Sequence, residues 1–380
     1  MGLNYQRCLV CIMDTTDPEI VFFGAEGCNH CIGMKSSLGK IWFNDNSGKV
    51  LLKDTIDRIR DEGKGLEYDS ILGLSGGVDS SYVALKAHDW GLRPLVVHVD
   101  GGWNSEPAVR NIESILKFTG WDLHTSVINW PEMQDLQLSY FKSGISNLDV
   151  PQDHAFFSSL YTFAAQNRIK DVLSGGNMAT EGIFPRVWHG AAMDSINLRA
   201  IQKQFGHLSL KSYPTTTFYE HYIKYPFMKK MRIFRPLNFI PYNKSEAIAE
   251  LESRIGYKRY PRKHGESIFT RFFQEHFLIQ KHGIDKRLAH FSSEIVSGQL
   301  SRDLALQLLT EEMYSRGELE RDMNFISRKL GIQRHEFDSY LGTPVRGYED
   351  YATWNTAYNR LKQTQSLIEK LLRRKIGTYS

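Results

Sequence analysis

Beyond Cys31 the chain contains no cysteine. All four of its cysteines, Cys8, Cys11, Cys28 and Cys31, lie in the first 31 of 380 residues. The rest of the chain therefore has no thiol to open an amide, to carry a persulfide, or to ligate an iron–sulfur cluster. A run of 18 apolar residues is also missing, and the stretch MGLNYQRCLVC has no signal-peptide apolar region. A soluble, cytoplasmic protein without a membrane partner is expected. A strong charge of either sign is missing as well: 47 Lys+Arg less 43 Asp+Glu leaves +4, less basic than is usual for a nucleic-acid binder. No internal repeat or low-complexity segment is visible. What remains is 41% hydrophobic and 12% aromatic, enough for a real core in one large or two ordinary domains.

The cysteines are themselves a pattern. Cys8-x2-Cys11 and Cys28-x2-Cys31, separated by sixteen residues, have the spacing of a zinc ribbon. Each pair presents two thiolates on a tight turn, and two turns close a tetrahedron. Reducing conditions disfavour the alternative of disulfides. Four thiolates leave no open coordination position, so structural zinc is assigned to folding, in a ribbon over 1–40. Asp14, Asp17 and His30 are expected to be loop residues.

The chain is organised around Asp69–Ser81, DSILGLSGGVDSS. Ile71, Leu72 and Leu74 form an apolar run suited to a buried parallel strand. Ser75-Gly76-Gly77 then turns the chain, and a helix follows. Strand, glycine turn and helix aim free N–H groups and a positive dipole end at a phosphate. Ser75 and Ser80 add hydroxyls. Asp79 adds a carboxylate, which implies an accompanying cation such as Mg²⁺. The stretch S-G-G-x-D-S resembles the pyrophosphate-loop (PP-loop) signature of the ATP pyrophosphatase superfamily. That resemblance implies ATP cleavage between the α and β phosphates, with an adenylylated substrate oxygen as intermediate. Around it, helix 47–63, strands at 93–99, 123–128 and 171–173, and helices at 104–118 and 153–167 predict a doubly wound parallel α/β sheet over 41–265. The glycine turns at 76–77, 101–102 and 175–176 all follow strands and can meet at one crevice.

Two further stretches take meaning from that superfamily. Gly175-Gly176-Asn177-Met178-Ala179-Thr180-Glu181 resembles the G-T-x-N-x-x-E stretch of the NAD-synthetase-like branch. There the acid coordinates Mg²⁺ on the pyrophosphate, which implies a metal role for Glu181 beside Asp79. Arg235-Pro236-Leu237, read as a strand, precedes Asn243-Lys244. The superfamily uses a basic residue there to neutralise the leaving pyrophosphate, implying a catalytic role for Lys244. Between them, 182–234 reads as a substrate-facing insertion whose Arg and aromatic residues suit a nucleotide sugar, with Arg186 and His189 as candidates. From Ser267 the chain becomes helical, over 266–380. Gly283, Gly298 and Gly317 are expected stops, and the last helix is expected to end in Arg373-Arg374-Lys375.

Across nearly its whole length the chain resembles the N-acetyl sugar amidotransferase family of bacterial surface-polysaccharide and O-antigen biosynthesis. The resemblance rests on C-x-x-C-x-M-D-T at Cys8–Thr15, C-N-x-C at Cys28–Cys31, LGLSGGVDSSY, HVDGGWN, SGGNMATEG, GESIFTRFFQ and SSEIVSGQLSR. It implies ATP-dependent conversion of an acetamido group on a nucleotide-activated N-acetyl sugar to an acetamidino group. It also implies a separate glutaminase subunit, with a cyclase-like barrel, that supplies ammonia. PP-loop tRNA-modifying enzymes are the alternative. Thiolation lacks its cysteine; lysidine-type ligation does not need one, but the near-neutral charge does not favour it.

Overall fold

The computed structural model describes residues 5–260 and 265–372, with side chains to 367; Arg373-Arg374-Lys375 lies outside them. Five parallel strands, β1 (Ser70–Gly73), β2 (Pro94–Asp100), β3 (Leu123–Val127), β4 (Asp171–Leu173) and β5 (Arg232–Phe234), form one sheet. Their spatial order is β3-β2-β1-β4-β5. β1 is central, with Ile71 opposite Leu95 on one side and Val172 on the other. Alternate strand residues enter two cores. Ile71, Leu95, Val97 and Val172 meet Leu160, Tyr161 and Ala164 of the helix Val150–Gln166. Leu72, Val96 and Leu173 share the opposite core with Val83, Ala84 and Ile112, from the helices Val78–Asp89 and Glu106–Thr119. Burial on both faces explains why the strands read as continuous apolar runs. The expected doubly wound sheet is present, and strand order reverses between β1 and β4. In such sheets that reversal opens a crevice at the carboxyl ends of the strands.

Two local expectations are corrected and one element is new. Arg235-Pro236-Leu237 is not a strand: β5 ends at Phe234 and Pro236–Phe239 is a 3₁₀ turn. Gly317 stops nothing; it lies in the first turn of the helix Arg316–Leu330, which Gly331 closes at φ 68°. The helix Trp130–Ser143 had no counterpart in the sequence reading.

The helices after Ile268 join the same core. Phe141, on the helix Trp130–Ser143, meets Phe269, Phe277 and Phe337 edge-on and stacks on Tyr340. Arg271 and Asp322 form a bidentate pair at 2.6–2.9 Å between two of these helices. Among the described residues, no helix is long and apolar enough to cross a membrane.

Candidate active site

The turn after β1 is shaped by its glycines. Gly76 has φ +80°, and a Cβ there would lie 2.5 Å from the Ala108 carbonyl oxygen. Neither condition admits a side chain. Gly77 then caps the helix Val78–Asp89 with no side chain bonded to its first N–H groups. Ser75 Oγ accepts from Gly77 N at 3.3 Å and lies 3.2 Å from Ser80 Oγ. Ser75, Gly76, Gly77, Asp79 and Ser80 thus stand together at the start of a twelve-residue helix whose N-cap makes no side-chain bond, and a helix start has a dipole suited to an anion.

The turn after β4 is pressed against this one. A Cβ on Gly175 would lie 2.8 Å from Ser80 N and 2.9 Å from Asp79 C. Asn177 caps the short helix Met178–Glu181 by accepting from Thr180 N at 2.9 Å. Its amide also donates to Asp79 Oδ1 at 3.3 Å. Asp79 Oδ1 accepts a second bond, from the Tyr242 hydroxyl. Burial, the Asp79 charge and hydrogen bond, and the Glu181 charge all push the Tyr242 phenol far above its ordinary value. Tyr242 therefore stays protonated and donates to Asp79. Asp79 and Glu181 carry oxygen donors of the kind Mg²⁺ prefers.

Lys244 begins the helix Lys244–Ile255, two residues after Tyr242. Gln299 holds this corner, accepting from Lys244 N and donating to the Tyr242 carbonyl, both at 3.1 Å. Arg235 is exposed, and a Cβ on Gly176 would lie 3.6 Å from its Nε. It offers a second cation at the rim. Arg186 is exposed on the short helix Arg186–His189. His189 is buried and stacked on Phe184, with centroids 3.4 Å apart. Burial holds its imidazole well below the ordinary range, so it is neutral at pH 7. Among the described residues, no hydrogen bond joins Arg186 or His189 to the PP-loop.

The sequence reading missed Tyr242, Asn177, Arg235 and Glu266 as site residues. A Cβ on Gly77 would lie 3.6 Å from the Glu266 carboxylate, which borders the loop from the helical region. Asn177, Arg235 and Glu266 lie in stretches quoted for their resemblance, without a role of their own; Tyr242 lies in none of them.

The four cysteine sulfurs lie within 4.8 Å of one another. The pairs Cys8–Cys31, Cys11–Cys28 and Cys28–Cys31 are each 3.8 Å apart. A tetrahedron with zinc–sulfur bonds of about 2.3 Å has edges of about 3.8 Å, so the cluster fits zinc and can hold it. No sulfur pair is at disulfide distance. Asp17 is paired to His30 at 2.6 Å and Asp14 bonds Tyr5 and Thr16, so none joins the cluster.

One late segment ties cluster and crevice together. Ser292 Oγ accepts from Ile12 N at 3.2 Å, and Arg302 donates to the carbonyls of Cys8 and Cys11 at 3.1 Å. Ser293 Oγ accepts from Ile183 N at 2.9 Å, and Ser297 Oγ donates to the Ala179 carbonyl at 2.8 Å. Gln299 completes the set at Tyr242 and Lys244. The SSEIVSGQLSR block is thus a clip: its two ends, Ser292 and Arg302, bond the cysteine turns, and its middle, Ser293, Ser297 and Gln299, bonds the segment around Glu181 and the Tyr242–Lys244 corner.

Comparison with known proteins adds the following. Residues 266–365 match the family model described as LPS biosynthesis protein WbpG-like, C-terminal domain. No curated protein matches the chain significantly. Among solved structures, the chain is similar to an NMN synthetase from Francisella tularensis, at 16% identity over 77% of this chain and 97% of that one, TM-score 0.36. It is also similar to an NH3-dependent NAD synthetase from Campylobacter jejuni, at 14% identity over 57% and 98%, TM-score 0.28.

Proposed function

We propose that this chain is an ATP-dependent, AMP-forming amidotransferase that converts the acetamido group of a nucleotide-activated N-acetyl sugar to an acetamidino group. One observation carries the reading: the Ser75–Ser80 loop and the turn that leads to Glu181 are pressed together at the switch point, where Asp79 accepts from Tyr242 and Asn177. The matched C-terminal segment, described by lipopolysaccharide biosynthesis, supports a surface-sugar substrate.

An amide carbon is a poor electrophile and must be activated. Its oxygen attacks the α-phosphorus of ATP, the α–β bridging bond breaks, and pyrophosphate leaves. Backbone N–H groups of the loop, with Ser75 and Ser80, hold the phosphate oxygens. Mg²⁺, held by Asp79 and Glu181, would neutralise charge on the leaving group. Lys244 and Arg235 supply further positive charge. Ammonia adds to the carbon of the O-adenylyl imidate, a proton is lost, and AMP departs with the oxygen. The chain's own contribution is positioning and charge neutralisation.

The test is direct. Purified protein with ATP, Mg²⁺, ammonium and candidate nucleotide N-acetyl sugars should give AMP, pyrophosphate and a sugar about one mass unit lighter, as NH replaces O. Release of ADP and phosphate would overturn the loop assignment. AMP release without nitrogen in the sugar would overturn the amidotransfer.

A further inference from the structure

We propose a second ligand site, for an uncharged sugar ring, in a groove on the flank of the sheet. The groove has a volume of about 390 Å³ and lies between β2, β3, the helix Val150–Gln166 and the segment 213–215. That volume is in the range of small-molecule sites. The site is separate from the crevice at the carboxyl ends of β1 and β4.

The lining is chemically selective. It includes His124 and Ser126 of β3 and Ser159, Thr162, Phe163 and Gln166 of the helix. None of the residues lining it is Lys, Arg, Asp or Glu, so a phosphate or carboxylate would find no counter-charge. His124 stacks on Phe163, centroids 3.8 Å apart and 17° from parallel, placing a flat aromatic plate in the wall. Such a plate suits the apolar face of a pyranose. Around it stand groups that both donate and accept. Some hydroxyls are already committed: Ser158 accepts from Thr216 and Thr162 pairs with Tyr225. Those bonds fix the wall and leave Ser126 and Gln166, both among the lining residues, to face a guest. A flat ring wall, neutral polar groups and no formal charge together describe a polyhydroxylated, uncharged ring.

The experiment uses the full-length protein with N-acetylglucosamine as probe, read by saturation-transfer NMR and calorimetry. Transfer to the ring protons is expected, and it should persist at saturating ATP and Mg²⁺. His124→Ala and the exposed Gln166→Leu should each weaken binding at least tenfold while unfolding at the wild-type temperature. Should His124→Ala fail to fold, Gln166→Leu still decides. No transfer, transfer abolished by ATP, or affinity unchanged in Gln166→Leu would each overturn the site. The outcome is independent of the proposed reaction: a protein inert in the AMP assay can still bind sugar here, and an active one can fail to.

Discussion

In the proposed site Asp79 is the central carboxylate, and among the described residues Tyr242 and Asn177 both donate to its Oδ1. Partners that orient a metal-binding carboxylate commonly matter about ten- to a hundredfold in affinity or activity. Tyr242→Phe should therefore lower AMP formation about tenfold and raise the Mg²⁺ concentration needed, with unchanged folding. Asp79→Ala should lose nearly all turnover. A magnesium titration of the AMP-forming rate checks both, and a Tyr242→Phe enzyme with wild-type magnesium dependence would remove Tyr242 from this role. The loop residues were legible because S-G-G-x-D-S couples residue type to spacing, and Gly76 is needed for its φ and for the Ala108 carbonyl. Tyr242 was not legible. It reaches Asp79 across 163 residues, and nothing in P-Y-N-K distinguishes it from a packing tyrosine.

At the scale of elements, strands and capped helices were readable and two kinds of element were not. The helix Trp130–Ser143 buries Glu132, Asp135 and Gln137 along with Met133, Leu136 and Phe141, so it shows no apolar stripe to find. Its acids are buried because the chain at 207–212 uses them: Asp135 accepts from His207 N and Leu208 N, and Glu132 from Lys211 N and Ser212 N. The SSEIVSGQLSR clip was quoted as a family block, but its function as a tie depends on contacts between residues up to 294 positions apart. A second electrostatic tie lies beneath the sheet. Asp171 of β4 accepts from Arg58 and Arg232, and Arg232 also bonds Glu62 at 2.9–3.0 Å. Arg232, then Lys170 and Arg58, against the opposing effect of burial, hold the Glu62 carboxyl down at about 2. Between that value and the ordinary 4.5, the unfolded chain binds the extra proton. This contribution is therefore complete above about pH 5 and lost as pH falls toward 2. Glu62→Gln should lower the unfolding midpoint at pH 7 and flatten its decline over that acid window, as thermal scans at several pH values would show. Parallel declines in the two proteins would mean that Glu62 contributes nothing.

For the whole molecule, the sheet order places two glycine turns together, and the C-terminal helices close over them from the far end of the chain. The cysteine cluster lies outside this crevice but is bonded to it through Ser292–Arg302. Removing zinc should therefore unfold or insolubilise the protein before it selectively slows chemistry, because a closed four-thiolate site contributes its binding energy to folding. Cys11→Ser should reproduce the effect, with metal content and unfolding temperature falling together. A metal-free protein of full activity would refute it.

For the proposed amidotransfer, the same confinement of cysteine leads to a prediction about the source of nitrogen. All four thiols are gathered in one buried cluster, and no cysteine exists elsewhere in the sequence. Opening the amide of glutamine requires a nucleophile, supplied in glutaminases by a cysteine. The lone chain should therefore form AMP with ammonium salts and not with glutamine. Glutamine should serve only when a separate glutaminase, with a barrel through which ammonia can pass, is added. Free ammonia is a small fraction of total ammonium at neutral pH and rises about tenfold per pH unit. The ammonium-driven rate should climb accordingly, while delivery from a partner, which bypasses bulk solvent, should flatten the profile. The deciding measurement is glutamine-dependent AMP release by the purified chain alone, with contaminating glutaminase excluded by mass spectrometry. Such release would mean that the chain opens the amide without a free thiol, and the partner would be unnecessary.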